Sequence, residues 1–435
     1  MASAGSQGGP PQARALVLAR RPKLWIVPAV LCGLVAVVLS LLYMGGIVNP
    51  VGQLHRLPIA LVNADRNAPP PGRETNLGTE LTRAVVANTP AGTVDWRQVD
   101  PDEANEQLAT GKVYGALVVP ADFTPAVEAL AAGRATEQPT LTVLTNPGLG
   151  SLGSSLASQT TQAAAHQASL AVGKQLTAAL PPAGDQGTGG PDTSPTARLL
   201  LADPLAVTTR VGHPIGTHSG LGLTAFYYTL LAVLMGFIGG NIIHNGVDTA
   251  LGYSDSELGP WHTRRPTVPI SRTQTLLLKM VMTAGITLLT TTLVMLCSIT
   301  LLGMDAPHQG LLWVFAYCAS LAVGLGVQAI NAAFGGIGQL VSMFVFIAFA
   351  LPSSGATIPL QAVPGFYRFL ATFEPMRQLS DGIRAILFFD ARADAGLTRA
   401  WIMIVIGTVL ALAFGFGMTR YYDRKGLHRW TPQAG

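Results

Sequence analysis

Charged residues are scarce in this sequence. Of its 435 residues, 11% are charged and 49% are hydrophobic, whereas soluble globular domains carry about 25% charged residues. This deficit excludes an ordinary soluble enzyme and predicts a polytopic membrane protein. The 27 Lys and Arg residues and the 23 Asp and Glu residues leave a net charge of +4. The positions of the basic residues therefore carry more information than their sum.

Cysteine is also rare, and all three residues, Cys32, Cys297 and Cys318, lie inside apolar runs. None falls in the polar region 50–218, so this region has no disulfide, and the cysteine spacing offers no zinc site. The eight histidines form neither H-x-x-H nor H-E-x-x-H spacing. The sequence predicts small core cysteines and no metal site.

Motifs of nucleotide and hydrolase chemistry are absent. A phosphate-binding loop needs G-x-x-x-x-G-K-[ST], but the Gly-Lys pairs at Gly111 and Gly173 are followed by Val and Gln. The serine nucleophile pattern G-x-S-x-G does not occur either. We therefore expect a chain that is not an enzyme, with no catalytic residues, no cofactor and no nucleic-acid partner.

Six apolar runs resemble transmembrane helices, each of which needs about 20 residues. The predicted spans are Leu24–Val48, Leu221–Ile243, Leu276–Leu302, Leu311–Phe334, Ile337–Leu351 and Ala400–Thr419. The first run is longer than a signal-peptide core and has no clear cleavage site, so we expect it to be an uncleaved helix. The predicted fold class is a polytopic α-helical membrane protein of about six transmembrane helices, with an extracytoplasmic α/β domain between helices 1 and 2.

Basic residues beside the runs predict the orientation, because cytoplasmic loops carry an excess of Lys and Arg. They precede the first run, follow the last and occupy the connection after the second: Arg14, Arg20, Arg21, Lys23, Arg264, Arg265, Arg272, Arg420, Arg424, Lys425 and Arg429. Lys279 falls in the first turn of the third run, where we expect its side chain to reach the cytoplasmic interface. The prediction is a multi-pass protein of the cytoplasmic (inner) membrane with both termini in the cytoplasm.

The predicted organisation has five parts. They are a cytoplasmic tail at 1–23, a transmembrane helix at 24–48, the extracytoplasmic domain at 49–218, a five-helix membrane domain at 219–420 and a cytoplasmic tail at 421–435. Strands and helices alternate in the extracytoplasmic part, which predicts an α/β fold.

The predicted strands of this domain are Leu57–Asn63, Val94–Val99, Val113–Val119 and Thr140–Thr145, and its short helices are Thr79–Ala87, Pro101–Ala109 and Pro125–Ala132. Asp100 and Thr124 are the expected N-caps of the last two helices. Residues 151–180 favour one or two long helices, and 181–195 is a linker by composition. The stretch Leu200–Val211 is expected to lead back to the membrane.

Residues 352–390 form an apolar stretch that several prolines interrupt. Such a sequence suits short, broken helices that dip into the membrane and are sheltered by protein, because lipid does not tolerate exposed irregular backbone. Phe366, Phe369 and Phe373 suit the interface. We predict a re-entrant segment.

The order of residues in this stretch resembles the type-2 ABC exporter permeases. The matching residues are Ser354, Gly355, Pro359, Pro364, Pro375 and Arg384. The N-terminal half is similar to the phage-infection-protein (Pip/YhgE)-like branch in the strand Ile59–Asp65, in Glu103–Leu108 with Gly111, and in Pro120-x-Asp122-Phe123.

The resemblance implies the membrane subunit of a bacterial cell-envelope exporter that moves a hydrophobic compound or lipid. It further implies a separate ATP-binding subunit, a homodimer or a heterodimer with a paralogue, and contact with membrane lipid.

One departure from the family concerns the connection after the second span. The permeases carry a Glu-Arg-Glu-x-Gly-Thr pattern there, whereas this chain has Asn245–Thr249 followed by a different loop. The expected ATPase-coupling residues are Asp248, Asp255, Glu257, Trp261, Arg264, Arg265 and Arg272. Without the pattern, the alternative is a non-transporting membrane-anchored scaffold or binding protein of the envelope.

Overall fold

The structure is a computed structural model that describes residues 22–132, 134–135, 137–178 and 201–429. The predicted linker 181–195, residues 1–21 of the N-terminal tail and residues 430–435 of the C-terminal tail lie outside the described residues. Helix α1 spans Pro22–Ile47 and precedes an α/β domain that extends from residue 57 to residue 211.

The α/β domain contains five strands and four helices in the described residues. The strands are β1 (Leu57–Asn63), β2 (Val94–Val99), β3 (Gly115–Val119), β4 (Thr140–Thr145) and β5 (Ala206–Val211). The helices are α2 (Leu77–Asn88), α3 (Pro101–Ala109), α4 (Phe123–Ala131) and α5 (Ser151–Ala178). The predicted α/β region is confirmed, and residues 151–178 form a single helix.

The strands form one mixed sheet in the order β2-β1-β3-β4-β5. Strand β1 pairs in parallel with both β2 and β3, β3 pairs antiparallel with β4, and β4 pairs in parallel with β5. Within the stretch Leu200–Val211, which was expected to lead back to the membrane, Ala206–Val211 forms a fifth strand that was not predicted from the sequence. Its register sets Thr140 opposite Ala206.

Side chains of β1 alternate between two apolar cores, as the period of a strand requires. Leu61 packs in the core formed with helices α2, α4 and α5, whereas Ala60 and Val62 pack in the core formed with α3. Asp100 caps α3 as predicted, because its side chain accepts a hydrogen bond from the Glu103 N–H.

Asp65, at the end of β1, connects the starts of α2 and α4. Its carboxylate accepts hydrogen bonds from the Thr124 hydroxyl at 2.6 Å, the Gly78 N–H at 3.2 Å and the Asn67 side-chain amide at 2.7 Å. The predicted N-cap role of Thr124 was wrong, because α4 begins one residue earlier and the Thr124 hydroxyl donates to Asp65 instead.

Burial acts to raise the pKa of Asp65, but the hydrogen bonds from Thr124, Asn67 and Gly78 outweigh it and hold this pKa below its ordinary value. The carboxylate is therefore ionised at neutral pH and joins three segments of the domain.

The rest of the chain is mostly helical. Its helices are α6 (Thr224–Ala250), α7 (Arg272–Met295), α8 (Gln309–Phe334), α9 (Gly338–Met343), α10 (Ala350–Ser353), α11 (Gly365–Leu370), α12 (Pro375–Phe388) and α13 (Leu397–Arg424). A two-stranded hairpin, β6 (Ser256–Leu258) with β7 (Trp261–Thr263), lies between α6 and α7.

Four helical segments of the described chain are long and apolar enough to cross a bilayer: Thr224–Ala250, Arg272–Leu301, Gln309–Ser353 and Leu397–Arg424. The third has 45 residues, whereas one crossing takes about 20. It turns at Gly335, whose φ of 63° is one that glycine adopts without strain. The chain is therefore a membrane protein.

Helix α8 lies at the centre of the helical region and packs against α6, α7 and α13. Small residues permit its close approach to α6, because a Cβ placed on Gly236 would lie 2.4 Å from the carbonyl oxygen of Ser320. Gly240 and Gly324 lie at the same helix contact. These glycines therefore serve helix packing within one chain.

Candidate functional site

The predicted re-entrant motif consists of short helices whose starts coincide with prolines. Pro364 precedes α11, and Pro375 is the first residue of α12, where its missing N–H costs no hydrogen bond. Pro359 precedes a single 3-10 turn at Leu360–Ala362. The Ser354 hydroxyl accepts a hydrogen bond from the Ala356 N–H at 3.2 Å and so closes the turn at Gly355.

Arg384 of α12 holds this motif against the α/β domain. Its guanidinium donates hydrogen bonds to the carbonyl oxygens of Ala356 at 2.7 Å, Gly355 at 3.3 Å and Leu149 at 3.2 Å. Leu149 belongs to the turn between β4 and α5, so one buried side chain joins the two parts of the molecule. The structure thus brings Ser354, Gly355 and Arg384 together.

A cavity of about 460 Å³ lies between the α/β domain and the re-entrant motif, and we call it the junction cavity. Its basic side chains are Arg97, Lys112, Arg377, Arg384 and Arg399, and its acidic ones are Asp381 and Asp394. Lys112 and Asp394 are exposed at its rim, whereas Arg384 is buried. The cavity therefore leads from solvent to the guanidinium that binds the motif.

Tyr114 of the α/β domain also lines the junction cavity, and its hydroxyl donates to Gln361 at 3.3 Å. Burial raises the pKa of Tyr114 to about 12, against the opposing effect of the Arg384 charge. The phenol is consequently protonated at neutral pH and remains a hydrogen-bond donor.

Two exposed ion pairs close the same junction, one at the rim of the cavity and one outside it. The Lys112 Nζ lies 2.9 Å from the Asp394 carboxylate, and Arg392 pairs with Glu106 of α3. The Lys112 hydrogen bond lowers the pKa of Asp394, and the Arg392 hydrogen bond lowers that of Glu106. Both carboxylates are ionised at neutral pH.

The residues predicted for ATPase coupling fall into two places. Asp255, Glu257, Trp261 and Arg264 lie in or beside the β6–β7 hairpin, where the Trp261 side chain is 74% exposed. The exposed Arg265 follows the hairpin. Because the hairpin is small and its aromatic side chain faces outward, this segment offers a contact surface between two helices.

Asp248 was wrongly assigned to the loop, because α6 continues to Ala250 and buries this carboxylate. Its oxygens accept hydrogen bonds from Lys279 of α7 at 2.7 Å and from Arg429 at 2.8 and 2.9 Å. His244 lies 2.9 Å from the Lys279 Nζ. We call Asp248, Lys279, Arg429 and His244 the α6–α7 ionic cluster.

The expectation that Lys279 reaches the interface was wrong too. Its side chain is only 3% exposed and points between the helices to Asp248. A charged lysine in an apolar environment is stable only with a close counter-ion, and Asp248 supplies it. The cluster lines a cavity of about 180 Å³ that Asn331 and Thr419 also border.

Arg272 begins α7 and connects it to the end of α13. Its guanidinium lies over the Tyr422 ring at 5.2 Å and donates to the Leu427 carbonyl at 2.6 Å, while its own N–H donates to Asp423 at 2.9 Å. Arg272 is therefore a residue of the helix contact rather than of the exposed hairpin.

An apolar groove of about 340 Å³ lies among α8, α12 and α13, with Val345 and Phe346 at its side. Gly326, Leu379 and Gly407 are among its lining residues. The groove occupies the face of α12 that carries Leu379, whereas Arg377, Asp381 and Arg384 line the junction cavity from the opposite face of this helix.

Sequence reasoning missed Lys112, Tyr114, Arg97, Arg399 and His244 as residues of these sites, and it placed Lys279 at the interface instead of in the ionic cluster. Lys279 carried a usable signal, since it is a charged residue within an apolar helix. Lys112 precedes the predicted strand Val113–Val119 and Tyr114 lies within it, and neither carries a comparable signal.

These features define a membrane protein in which a mixed α/β sheet is inserted between apolar helices. The chain belongs to the family described as "Protein of unknown function (DUF3533)", whose profile matches residues 28–407. Among proteins with curated descriptions, none matches this sequence.

One solved structure is similar to part of the chain: "Crystal structure of a domain of a putative ABC type-2 transporter from Thermotoga maritima MSB8". The sequences are 18% identical, and the similarity covers 39% of this chain and 98% of that one, with a TM-score of 0.24. A TM-score of this size does not establish a shared fold.

Proposed function

We propose that this chain is the membrane subunit of an ABC-type exporter that moves a hydrophobic compound or lipid with the help of a separate ATP-binding subunit. The observation that carries the proposal is the β6–β7 hairpin, which presents Trp261 outward between two membrane helices. Large exposed aromatic side chains are frequent anchors of protein contacts. The hairpin is thus the proposed docking element for the ATPase.

Contacts at both ends of the hairpin segment connect it to the helices. The Tyr253 hydroxyl donates to the Val268 carbonyl at 2.7 Å, and Arg429 lies 4.5 Å from the centre of the Tyr253 ring. Arg429 in turn binds Asp248 in the α6–α7 ionic cluster. A force on the hairpin would therefore reach α6 and α7 through short, charged contacts.

The proposed topology has six crossings, with both termini in the cytoplasm and the α/β domain outside. Helix α1 contains 26 residues and the third apolar segment 45 residues, lengths that suit one crossing and two crossings respectively. The proposed assembly is a homodimer or a heterodimer with a paralogue, and similarity to the phage-infection-protein branch remains a prediction.

The apolar groove among α8, α12 and α13 supports a hydrophobic cargo. At about 340 Å³ it falls in the size range of small-molecule pockets, and apolar side chains dominate its lining. The cargo would be a lipid or a lipophilic compound of similar size.

Affinity purification from the native membrane tests the partnership. We expect an ATP-binding subunit to co-purify and hydrolyse ATP, and Trp261→Ala to lose it because an anchor contributes roughly 2 kcal/mol or more of binding. Trp313→Ala, which removes an indole near the start of α8, is the matched control and should keep the partner. If no ATPase accompanies the wild-type chain, the scaffold function takes precedence.

Thiol labelling tests the topology. Single cysteines replace the exposed residues Ser155 and Lys425 in a background without Cys32, Cys297 and Cys318. An impermeant reagent added to whole cells should label position 155 only. Labelling of position 425 alone would reverse the proposed orientation.

A further inference from the structure

The side chains that line the junction cavity carry an excess of positive charge. Five basic side chains line it, against the carboxylates of Asp381 and Asp394. Crowding cations around one cavity is unfavourable unless an anion lies among them. The excess of basic side chains therefore indicates that a ligand of this cavity would be an anion.

The individual ion pairs sharpen this argument. Lys112 pairs with Asp394 at 2.9 Å, and Arg384 lies 3.7 Å from Asp381. Arg97 lies 3.7 Å from Asp95, which is outside the cavity lining. Within the described residues, neither Arg377 nor Arg399 forms an ion pair with a carboxylate, and the single hydrogen bond of Arg377, to the Ala371 carbonyl, is 3.5 Å long. These two guanidiniums line the cavity, and most of their N–H donors have no protein acceptor in the described chain.

Arg384 adds a second observation. Its side chain is 4% exposed and its Nε has no hydrogen-bond partner, although its other nitrogens bind three carbonyl oxygens. Buried donors are nearly always paired in proteins, and an orphaned one points to a ligand or to an internal strain. Here it belongs to a residue that lines the cavity.

We propose that the junction cavity binds a phosphate group, and that Arg377 and Arg399 are its principal ligands. The guanidinium fork matches phosphate oxygens in pairs, and an anion of more than one negative charge suits several cations better than a carboxylate does. The volume of about 460 Å³ accommodates a small ligand or a lipid headgroup. This proposal does not depend on the proposed transport function.

If the proposed transport function is also correct, phosphate binding at this site implies that the transported compound is an amphiphile with a phosphate headgroup. The apolar groove lies on the other face of α12, so the two sites are separate and the acyl chains are not assigned to that groove. This identity of the cargo rests on the proposed transport function, whereas phosphate binding does not.

Calorimetric titration of the purified full-length chain, delipidated in a neutral detergent, tests the site. The probes are dioctanoyl phosphatidic acid, inorganic phosphate and, as the phosphate-free control with the same acyl chains, dioctanoylglycerol. The variants are Arg377→Gln and Arg399→Gln, which leave the carbonyl contacts of Arg384 intact, and Arg83→Gln serves as a control on the exposed surface of α2. Thermal unfolding verifies that each variant is folded.

We expect phosphatidic acid to bind the wild type and Arg83→Gln equally, and each cavity variant to raise its Kd about tenfold, since one charge-assisted contact is lost. Competition by inorganic phosphate would show that the free ion is sufficient. Lack of competition, with the same loss in the variants, would assign the site to a headgroup.

Equal affinity of phosphatidic acid for wild type and both cavity variants would overturn the proposal. So would equally tight binding of dioctanoylglycerol, because binding would then be due to the acyl chains. No ATPase is present in this titration, so a failure of the proposed transport partnership leaves its outcome unaffected.

Discussion

The junction cavity and the α6–α7 ionic cluster both gather charged side chains between segments of the chain, but they differ in balance. In the cluster, Asp248 binds both Lys279 and Arg429, and all of its charged groups have a partner. In the cavity, Arg377 and Arg399 have no carboxylate within ion-pair distance in the described chain, although both act electrostatically on Asp381 from farther away. The comparison separates a site that stabilises the fold from a site equipped to bind.

The first prediction concerns the cluster, where we expect the largest loss of stability. Asp248→Ala should lower the free energy of unfolding by about 3–5 kcal/mol, because it leaves the buried Lys279 without a counter-ion. Denaturant titration in detergent measures the loss. Asp255→Ala, at the exposed hairpin, is the control and should change stability by less than about 0.5 kcal/mol.

The double variant Asp248→Ala with Lys279→Met refines this result. Removing both members of a buried pair costs less than removing one, because no uncompensated charge is left inside. Arg429 is still partly exposed and can turn to solvent. If the double variant is less stable than Asp248→Ala alone, Asp248 does not act as the counter-ion of the buried Lys279.

The second prediction concerns the junction. Arg384→Met should cost about 2–3 kcal/mol, since charge-assisted hydrogen bonds to the carbonyls of Gly355, Ala356 and Leu149 disappear. Hydrogen–deuterium exchange should become faster at residues 354–363. Arg399→Gln removes the same charge from the same cavity without touching those carbonyls, and its exchange should match the wild type.

Much of the α/β domain could be predicted because its strands show apolar runs bounded by turn residues. Strands β1, β2 and β4 have the predicted bounds, and α3 has the predicted cap. Strand β5 was missed because its partner, β4, lies more than 60 residues earlier in the chain. Nothing local distinguishes such a strand from a path to the next helix.

The sequence predicted site residues only where they belong to one continuous motif of the chain. The sequence placed Ser354, Gly355 and Arg384 in one motif, but the Leu149 acceptor lies 235 positions from Arg384. Asp248 and Lys279 are 31 positions apart and belong to different helices. Tertiary packing creates both contacts, so no local pattern records them.

The third prediction tests whether the ionised carboxylate of Asp65 stabilises the α/β domain. Asp65→Asn should cost about 1–3 kcal/mol, because the amide cannot accept all the hydrogen bonds of the carboxylate. Asp122→Asn, an exposed change at the N-cap of α4 that makes no side-chain cap bond, is the control. Thermal unfolding compares the two, and equal stability would contradict the structural role of Asp65.

The pH dependence of this contribution follows from its sign. The pKa of Asp65 is lower in the folded chain than the ordinary value of about 3.9, so the stabilisation is present above that value. It is lost as pH falls through the lower, folded-state pKa. The wild type should therefore lose stability relative to Asp65→Asn only below about pH 4.

The smallest effects are expected at the exposed ion pairs of the junction. Lys112→Gln breaks the pair with Asp394, and Arg392→Gln breaks the pair with Glu106 and a longer one, of 3.6 Å, with Asp394. Because solvent and salt screen exposed pairs, both variants should lower the thermal midpoint only slightly, and the difference from wild type should vanish at high salt.

The two variants should nevertheless differ in binding, because Lys112 lines the junction cavity and Arg392 does not. Lys112→Gln should weaken phosphatidic acid binding, whereas Arg392→Gln should leave it unchanged at the same small cost in stability. Titration of both variants beside their melting curves provides the measurement. Equal phosphatidic acid affinities of the two variants would mean that the loss of a cavity charge does not govern binding. The contrast between the paired charges of the α6–α7 ionic cluster and the unpaired charges of the junction cavity would then lose its support.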